Sequence, residues 1–186
     1  DLCTIDFLDQ VADAGIKVLK IDGRGRAQEY VANVNNSYRQ AIDALAEGPY
    51  DKEKVIGWML ELEKVYNRGF WNGYYLGQKL GEWSKGSGSH ATQKKVYVGK
   101  GVHFFPKANI GEFKLEAYDL KIGDRILITG PTTGAKELNI KEMFVNDEKG
   151  ELAKRGDNIT VPLEFSIRPN DNLYIIVAVD KTFEAV

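Results

Sequence analysis

The chain has 186 residues, 43% hydrophobic and 28% charged, with a formal net charge of −2. That composition excludes disorder as the dominant state, and no run approaches about 18 consecutive apolar residues, which excludes a helical membrane span and a membrane partner. Residues 1–90 carry 11 basic and 13 acidic side chains and residues 91–186 carry 14 and 14, so neither half is a polycation that binds nucleic acid by bulk charge.

At roughly 100–200 residues per domain, the length allows one domain or two small ones. The chain opens at Asp1 with DLCTIDFLDQ, without an initiator Met or a signal peptide, which reads as the middle of a longer protein. Cys3 is the only cysteine. No internal disulfide can form, and a reducing cytoplasm is the expected compartment. His90 and His103 stand in no zinc-binding spacing.

In chain order, Ile5, Leu8, Val11 and Ala12 share one helix face, and Gly15 suits its end. Residues 16–21, IKVLKI, predict a short buried strand, followed by the turn Asp22-Gly23-Arg24-Gly25-Arg26. A longer helix carries Tyr30, Val31, Val34, Tyr38, Ala41, Ile42 and Leu45 on one stripe, and Gly48-Pro49 stops it. Asp51 is placed to cap another helix, with Val55, Trp58, Met59, Leu62 and Val65 apolar. The order helix, strand, helix, helix is physically incomplete, because one buried strand cannot satisfy its own backbone. It reads as the end of an α/β barrel, which needs about 250 residues in all.

The segment 84–93, SKGSGSHATQ, has the composition of a flexible linker. Beyond it the pattern alternates. Lys95–Val98 and Val102–Phe105 form one long strand broken at Gly99 and Gly101, with further strands at Ile110–Ala117, Arg125–Thr129, Leu138–Val145, Asn158–Leu163 and Leu173–Val179. Six short strands with close turns predict a small closed β-barrel. The expected organisation is therefore α+β: residues 1–83 as the end of an α/β barrel, 84–93 as linker, and 94–186 as a β-barrel.

Ligands of parallel α/β folds sit at the carboxyl ends of strands. Lys20, Asp22, Arg24 and Arg26 would stand there, with Arg24 able to grip a carboxylate or phosphate bidentately while Asp22 orients it. An exposed turn with a local ion pair is the plainer alternative. Arg68 sits within the aromatic cluster Tyr66-Asn67-Arg68-Gly69-Phe70-Trp71-Asn72-Gly73-Tyr74-Tyr75, which suits either stacking on a base or sealing a barrel end. In the second half, Lys95, Lys100, His103 and Lys107, beside Phe104 and Phe105, are nucleic-acid candidates, against a plainer reading as core aromatics and edge lysines.

Three stretches carry a family resemblance. DLCTIDFLDQVADAGIKVLKIDGRGRAQEYV resembles a characteristic segment of peptidase family U32, and YNRGFWNGYYLG resembles the same family's NRGF motif. VGKGVHFFPKANIGEFKLEAYDLKIGDRILITGPTTG is similar to its C-terminal barrel. Asp22 departs from the family pattern, which usually has Glu.

The resemblance implies a catalytic (β/α) barrel ending near residue 80, then a barrel similar to domain 2 of translation elongation factors. Members are described as collagenase-like peptidases, a hydrolase activity, whereas several bacterial relatives support hydroxylation of tRNA or ribosomal RNA bases. It implies that the longer protein is an enzyme acting on a peptide, protein or RNA substrate, and that this portion alone is inactive and carries no cofactor. In the longer protein, Cys3 would match one ligand of a four-cysteine iron–sulfur cluster. No triad, zinc signature or carboxylate pair for proteolysis is visible in these residues. The competing expectation is a non-catalytic RNA- or protein-binding module.

Overall fold

A computed structural model describes residues 1–77 and 88–179 of the chain. These fall into two compact units, Asp1–Thr92 and Gln93–Val179.

In the first unit, a short 3₁₀ turn at Ile5–Phe7 leads into α1 (Leu8–Asp13). Gly15 then takes a φ of 84°, the left-handed conformation that ends helices at glycine. α2 (Gln28–Glu47) buries Val34, Ser37, Ala41 and Ala44, a stripe at helical spacing. α3 (Lys52–Lys64) starts where the sequence places its cap, with the Asp51 carboxylate accepting the Glu53 N–H at 2.8 Å. Val55, Trp58 and Leu62 of α3 pack with Ile5, Leu8, Val34 and Ala41 into one core. Two buried polar ends are satisfied within it. The Tyr50 hydroxyl donates to the Ile5 carbonyl at 2.5 Å, and Trp58 Nε1 donates to Gln40 Oε1 at 3.2 Å.

The segment expected as a buried strand is neither. Residues 16–21 form no ladder, and Val18 is 81% exposed and Ile16 53%. A strand is a non-local structure that exists only where a second backbone meets it, and the described residues bring none there. The one sheet-like pairing among the described residues of this unit is a parallel bridge between Leu2 and Trp71. In it Cys3 N–H donates to the Trp71 carbonyl at 3.0 Å, and Trp71 N–H to the Asp1 carbonyl at 3.1 Å. Of the predicted linker, residues 84–87 lie outside the described residues. In the remainder, His90 N–H donates to the Asn67 carbonyl at 2.6 Å and Thr92 N–H to the Glu63 carbonyl at 2.9 Å.

The second unit is antiparallel. Its strands are β1 (Gln93–Phe105), β2 (Ile110–Leu115), β3 (Leu120–Lys121), β4 (Arg125–Gly130), β5 (Gly134–Asn139), β6 (Phe144–Val145), β7 (Glu148–Lys149), β8 (Leu152–Ala153), β9 (Asn158–Pro162) and β10 (Asn172–Ala178). Eight of them form one sheet in the order β5-β4-β10-β1-β2-β9-β6-β7, and β3 pairs with β8. The ladder is open, since no pairing joins β5 to β7. This corrects the expected closed barrel: alternation fixes which face of each strand is buried but not whether the two edge strands meet. The whole is α+β.

Strand β1 is continuous, as the pattern around Gly99 and Gly101 suggests, and its register shifts between Tyr97 and Gly99 and again between Gly101 and His103. The stretch 138–145 differs from expectation. Only its ends pair, while Ile140 and Met143, at most 1% exposed, fill the core from an irregular segment. Around them pack Val98, Phe113, Leu115, Ile126, Ile128, Ile159 and Leu173.

Candidate functional site

The turn after residues 16–21 has a defined local geometry. Asp22 Oδ1 accepts from Arg24 Nε at 3.1 Å and from the Arg24 N–H at 3.1 Å, while Oδ2 accepts from Arg24 Nη2 at 3.0 Å. The pair is bidentate, fork to fork. Those bonds hold the Asp22 carboxyl down at about 2, so it stays ionised through the physiological range. Both side chains are exposed, Arg24 by 90% and Asp22 by 60%, so the pair stabilises the chain little. Gly25 at φ 71° lets the chain double back, and Arg26 N–H closes the turn on the Gly23 carbonyl at 3.0 Å.

Arg26 leaves the turn in a different direction. Its guanidinium lies 3.9 Å from the Tyr66 ring centroid and 5.6 Å from that of Tyr30, a stack between the turn, α2 and the segment after α3. The aromatic cluster around Arg68 is the sequence signal for that contact, although its partner could not be chosen from spacing.

Arg68 sits on a loop held by its neighbour. Asn67 is 3% exposed: its Nδ2 donates to the Val65 carbonyl at 3.0 Å, and its Oδ1 accepts the Gly69 N–H at 3.1 Å. Arg68 N–H donates to Asp1 Oδ2 at 2.8 Å, and its guanidinium lies 3.5 Å from Asp1 Oδ1. Lys20, Asp22, Arg24 and Arg68, the four substrate-binding candidates, all line one hollow of about 720 Å³ together with Arg26, Tyr30, Tyr38 and Tyr75. Its wall also includes the apolar side chains of Ile16, Val18 and Leu19. Four cations, two of them paired with the carboxylates of Asp22 and Asp1 on the same wall, and three tyrosines over apolar side chains can hold a ligand that is both anionic and ring-bearing.

Cys3 is 4% exposed and faces away from water. Tyr38 OH donates to Sγ at 3.8 Å, and Sγ lies 3.9 Å from Met59 Sδ. The same hydroxyl accepts the Thr4 N–H at 3.0 Å. Burial pushes the Cys3 thiol up, against smaller opposing effects of the Ile5 N–H and the Tyr38 hydroxyl, and burial likewise lifts Tyr38 to about 12. Among the described residues no group of three or more His, Cys, Asp or Glu could hold a metal. One protonated sulfur enclosed by Tyr38 and Met59 does not fit an iron–sulfur cluster on these residues alone. Alkylation of Cys3 by iodoacetamide at mildly basic pH is accordingly expected to be at least about 100-fold slower in the folded chain than in urea. Comparable rates in the two states would contradict the burial.

In the second unit the nucleic-acid candidates do not converge on one point. Lys95 Nζ lies 4.7 Å from the Tyr174 ring centroid, Lys100 stands opposite Lys114 across the β1–β2 ladder, and Lys107 lies in the turn between those strands. His103 packs edge-on against Phe105 with centroids 4.5 Å apart. Spacing alone did not single out Tyr97, Tyr174 or Lys114, because what joins them is cross-strand register.

Comparison with known proteins matches residues 1–85 to peptidase family U32. Over 174 residues the chain is 47% identical to a collagenase of Porphyromonas gingivalis, covering 94% of this chain and 42% of that protein. An uncharacterized protease of Methanocaldococcus jannaschii is 34% identical over 95% of this chain and 43% of its own. The tRNA hydroxylation protein P2 of Bacillus subtilis is 37% identical over 41% of this chain and 26% of its own. The chain spans less than half the length of these curated relatives. No helix among the described residues is long and apolar enough to cross a membrane. The chain belongs to peptidase family U32.

Proposed function

We propose that this chain carries the substrate-gripping end of a U32 enzyme whose substrate is RNA and whose reaction is hydroxylation of a base. The observation that carries this reading is the convergence of Lys20, Arg24, Arg26 and Arg68 with Tyr30 and Tyr75 on one hollow. A phosphodiester uses those cations and an unstacked base uses the rings. In this reading Arg24, aimed by Asp22, and Arg68 hold phosphate, Lys20 adds charge at the rim, and the reaction takes place in the cytoplasm.

The first unit is then the end of a (β/α) barrel. The parallel Leu2–Trp71 bridge and the apolar, unladdered segment 16–21 support that placement. The second unit, akin to a translation-factor domain, positions the substrate. A peptidase reading has its own support in the 47% identity to a collagenase along most of the chain.

The test uses the full-length protein in cells lacking it. Arg24→Ala should lower the hydroxylated nucleoside in tRNA or ribosomal RNA by about 100-fold or more, and Arg24→Lys by less, with the circular dichroism of both unchanged. Undiminished hydroxylation by folded Arg24→Ala would sink the reading. Loss of gelatin cleavage in that variant with RNA untouched would favour the peptidase.

A further inference from the structure

The solvent face of the second unit gathers cations and aromatic rings on β1, β2 and β10, which lie inside the sheet order, where edge protection has no role. Residues paired across an antiparallel ladder share a face, so register alone sorts the side chains. Gly99 opposite Leu115, and Gly101 opposite Phe113, lie on the core side. Lys100 opposite Lys114 therefore lies on the solvent side, and Asn172 of β10 is the partner of Lys100 on its other flank. Two lysines directly opposed across a ladder repel; the Lys114 ammonium donates to the Gly156 carbonyl, which leaves Lys100 facing a second positive charge on the same face. Next along the same face, Tyr97 is paired with Tyr174, their rings edge to face at 5.7 Å. The hydroxyl of Tyr97 donates to Glu116, which fixes its ring. Lys95 Nζ covers the Tyr174 ring at 4.7 Å.

The face thus reads, along the strands, as a pair of cations, a pair of half-buried aromatic rings with the Glu116 carboxylate on the Tyr97 hydroxyl, and another cation. Lys95 and Tyr97 are neighbours on one face of a regular strand, about 6.6–6.8 Å apart, and the register shift between Tyr97 and Gly99 brings Lys100 onto the same face. A polyanion whose bases are unstacked is the ligand that uses both elements: phosphates relieve the repulsion between Lys100 and Lys114, and bases stack on Tyr97 and Tyr174. We propose that the solvent face of β1, β2 and β10 is a binding surface for single-stranded RNA. This rests on the RNA reading for its substrate class, but it concerns separate residues on a separate unit.

The experiment measures fluorescence anisotropy of the whole 186-residue chain with a labelled single-stranded RNA about twelve nucleotides long and with a duplex of equal length. The single strand should bind in preference to the duplex. Tyr174→Ala and Tyr97→Ala should each weaken it by about 5- to 100-fold, whereas Tyr97→Phe, which keeps the ring, should bind like wild type. The double substitution Lys100→Gln with Lys114→Gln leaves the core untouched. It should lower the slope of log affinity against log salt by about 1.4, the value for two phosphates on a single strand, and Lys141→Gln should not change it.

Absence of binding, equal affinity for the duplex, or a salt slope insensitive to Lys100 and Lys114 would overturn the proposal. So would a gelatin peptide whose binding these substitutions weaken while RNA binding stays intact. If Arg24→Ala alone abolishes RNA binding, this face is excluded and the functional reading survives. If the face binds as described and the full-length protein hydroxylates RNA normally without Arg24, the opposite holds.

Discussion

Gly99→Ala is expected to remove about 3–5 kcal/mol from the stability of the second unit, a large part of what a small domain possesses. The cause is contact rather than backbone freedom. A Cβ at Gly99 would lie 1.9 Å from the carbonyl oxygen of Lys114, 2.9 Å from its carbon and 3.1 Å from Leu115 Cα. All three are backbone atoms of β2, so no side-chain rotation can relieve the overlap. β1 must move away from β2 at the bulge, where Leu115 and Val98 carry the core. Gly123→Ala offers the contrast. Gly123 has φ 90° with open space around it, so alanine there meets only left-handed strain, about 1–2 kcal/mol. Urea midpoints, with amide exchange across residues 93–179 locating the loss, would decide. Gly99→Ala no more harmful than Gly123→Ala would mean that the β1–β2 approach is looser than described.

What the sequence made legible follows the range of the interactions involved. α2 and α3 were readable because period, the Gly48-Pro49 stop and the Asp51 cap act within a few residues. The long strand broken by Gly99 and Gly101, and the strands opening at Ile110, Arg125, Asn158 and near Leu173, were readable because a half-buried sheet alternates. Two misreadings share a cause. Residues 16–21 and 138–145 read as strands on apolar content alone, which specifies neither extension nor a pairing partner. Ile140 and Met143 reach the core without a ladder, and the first segment has none either. Two-residue strands such as β3 and β8 are too short to leave a pattern. At the candidate site the Asp22–Arg24 pair was legible because its partners are two residues apart. The Arg26 stack on Tyr66 and the Tyr97–Tyr174 pair were not, because only tertiary structure brings them together.

The second large effect concerns Asp171, whose burial among neutral partners makes it a clamp between three segments. It is 2% exposed. Its Oδ2 accepts from Thr133 Oγ1 at 2.5 Å and from the Arg168 N–H at 2.8 Å, while its backbone carbonyl accepts the Gly101 N–H at 2.7 Å. The side chain thus ties the β4–β5 turn to the turn before β10, and the main chain ties both to β1. Asp171→Ala should cost about 2–4 kcal/mol, because the Thr133 hydroxyl and the Arg168 N–H both lose their acceptor at a buried position. Asp171→Asn, which keeps one acceptor oxygen, should cost less.

Gly130→Ala should cost a similar amount for a reason tied to the same carboxylate. A Cβ there would lie 1.7 Å from Asp171 Oδ1, 2.5 Å from Cγ and 3.1 Å from Oδ2. Since all three nearest atoms belong to one side chain, Asp171→Ala removes the overlap entirely. The double variant should therefore be at least about 1 kcal/mol more stable than the sum of the two single losses implies. Strict additivity in that cycle would show that Gly130 is required by something other than the approach of Asp171, and the clamp would lose its second support.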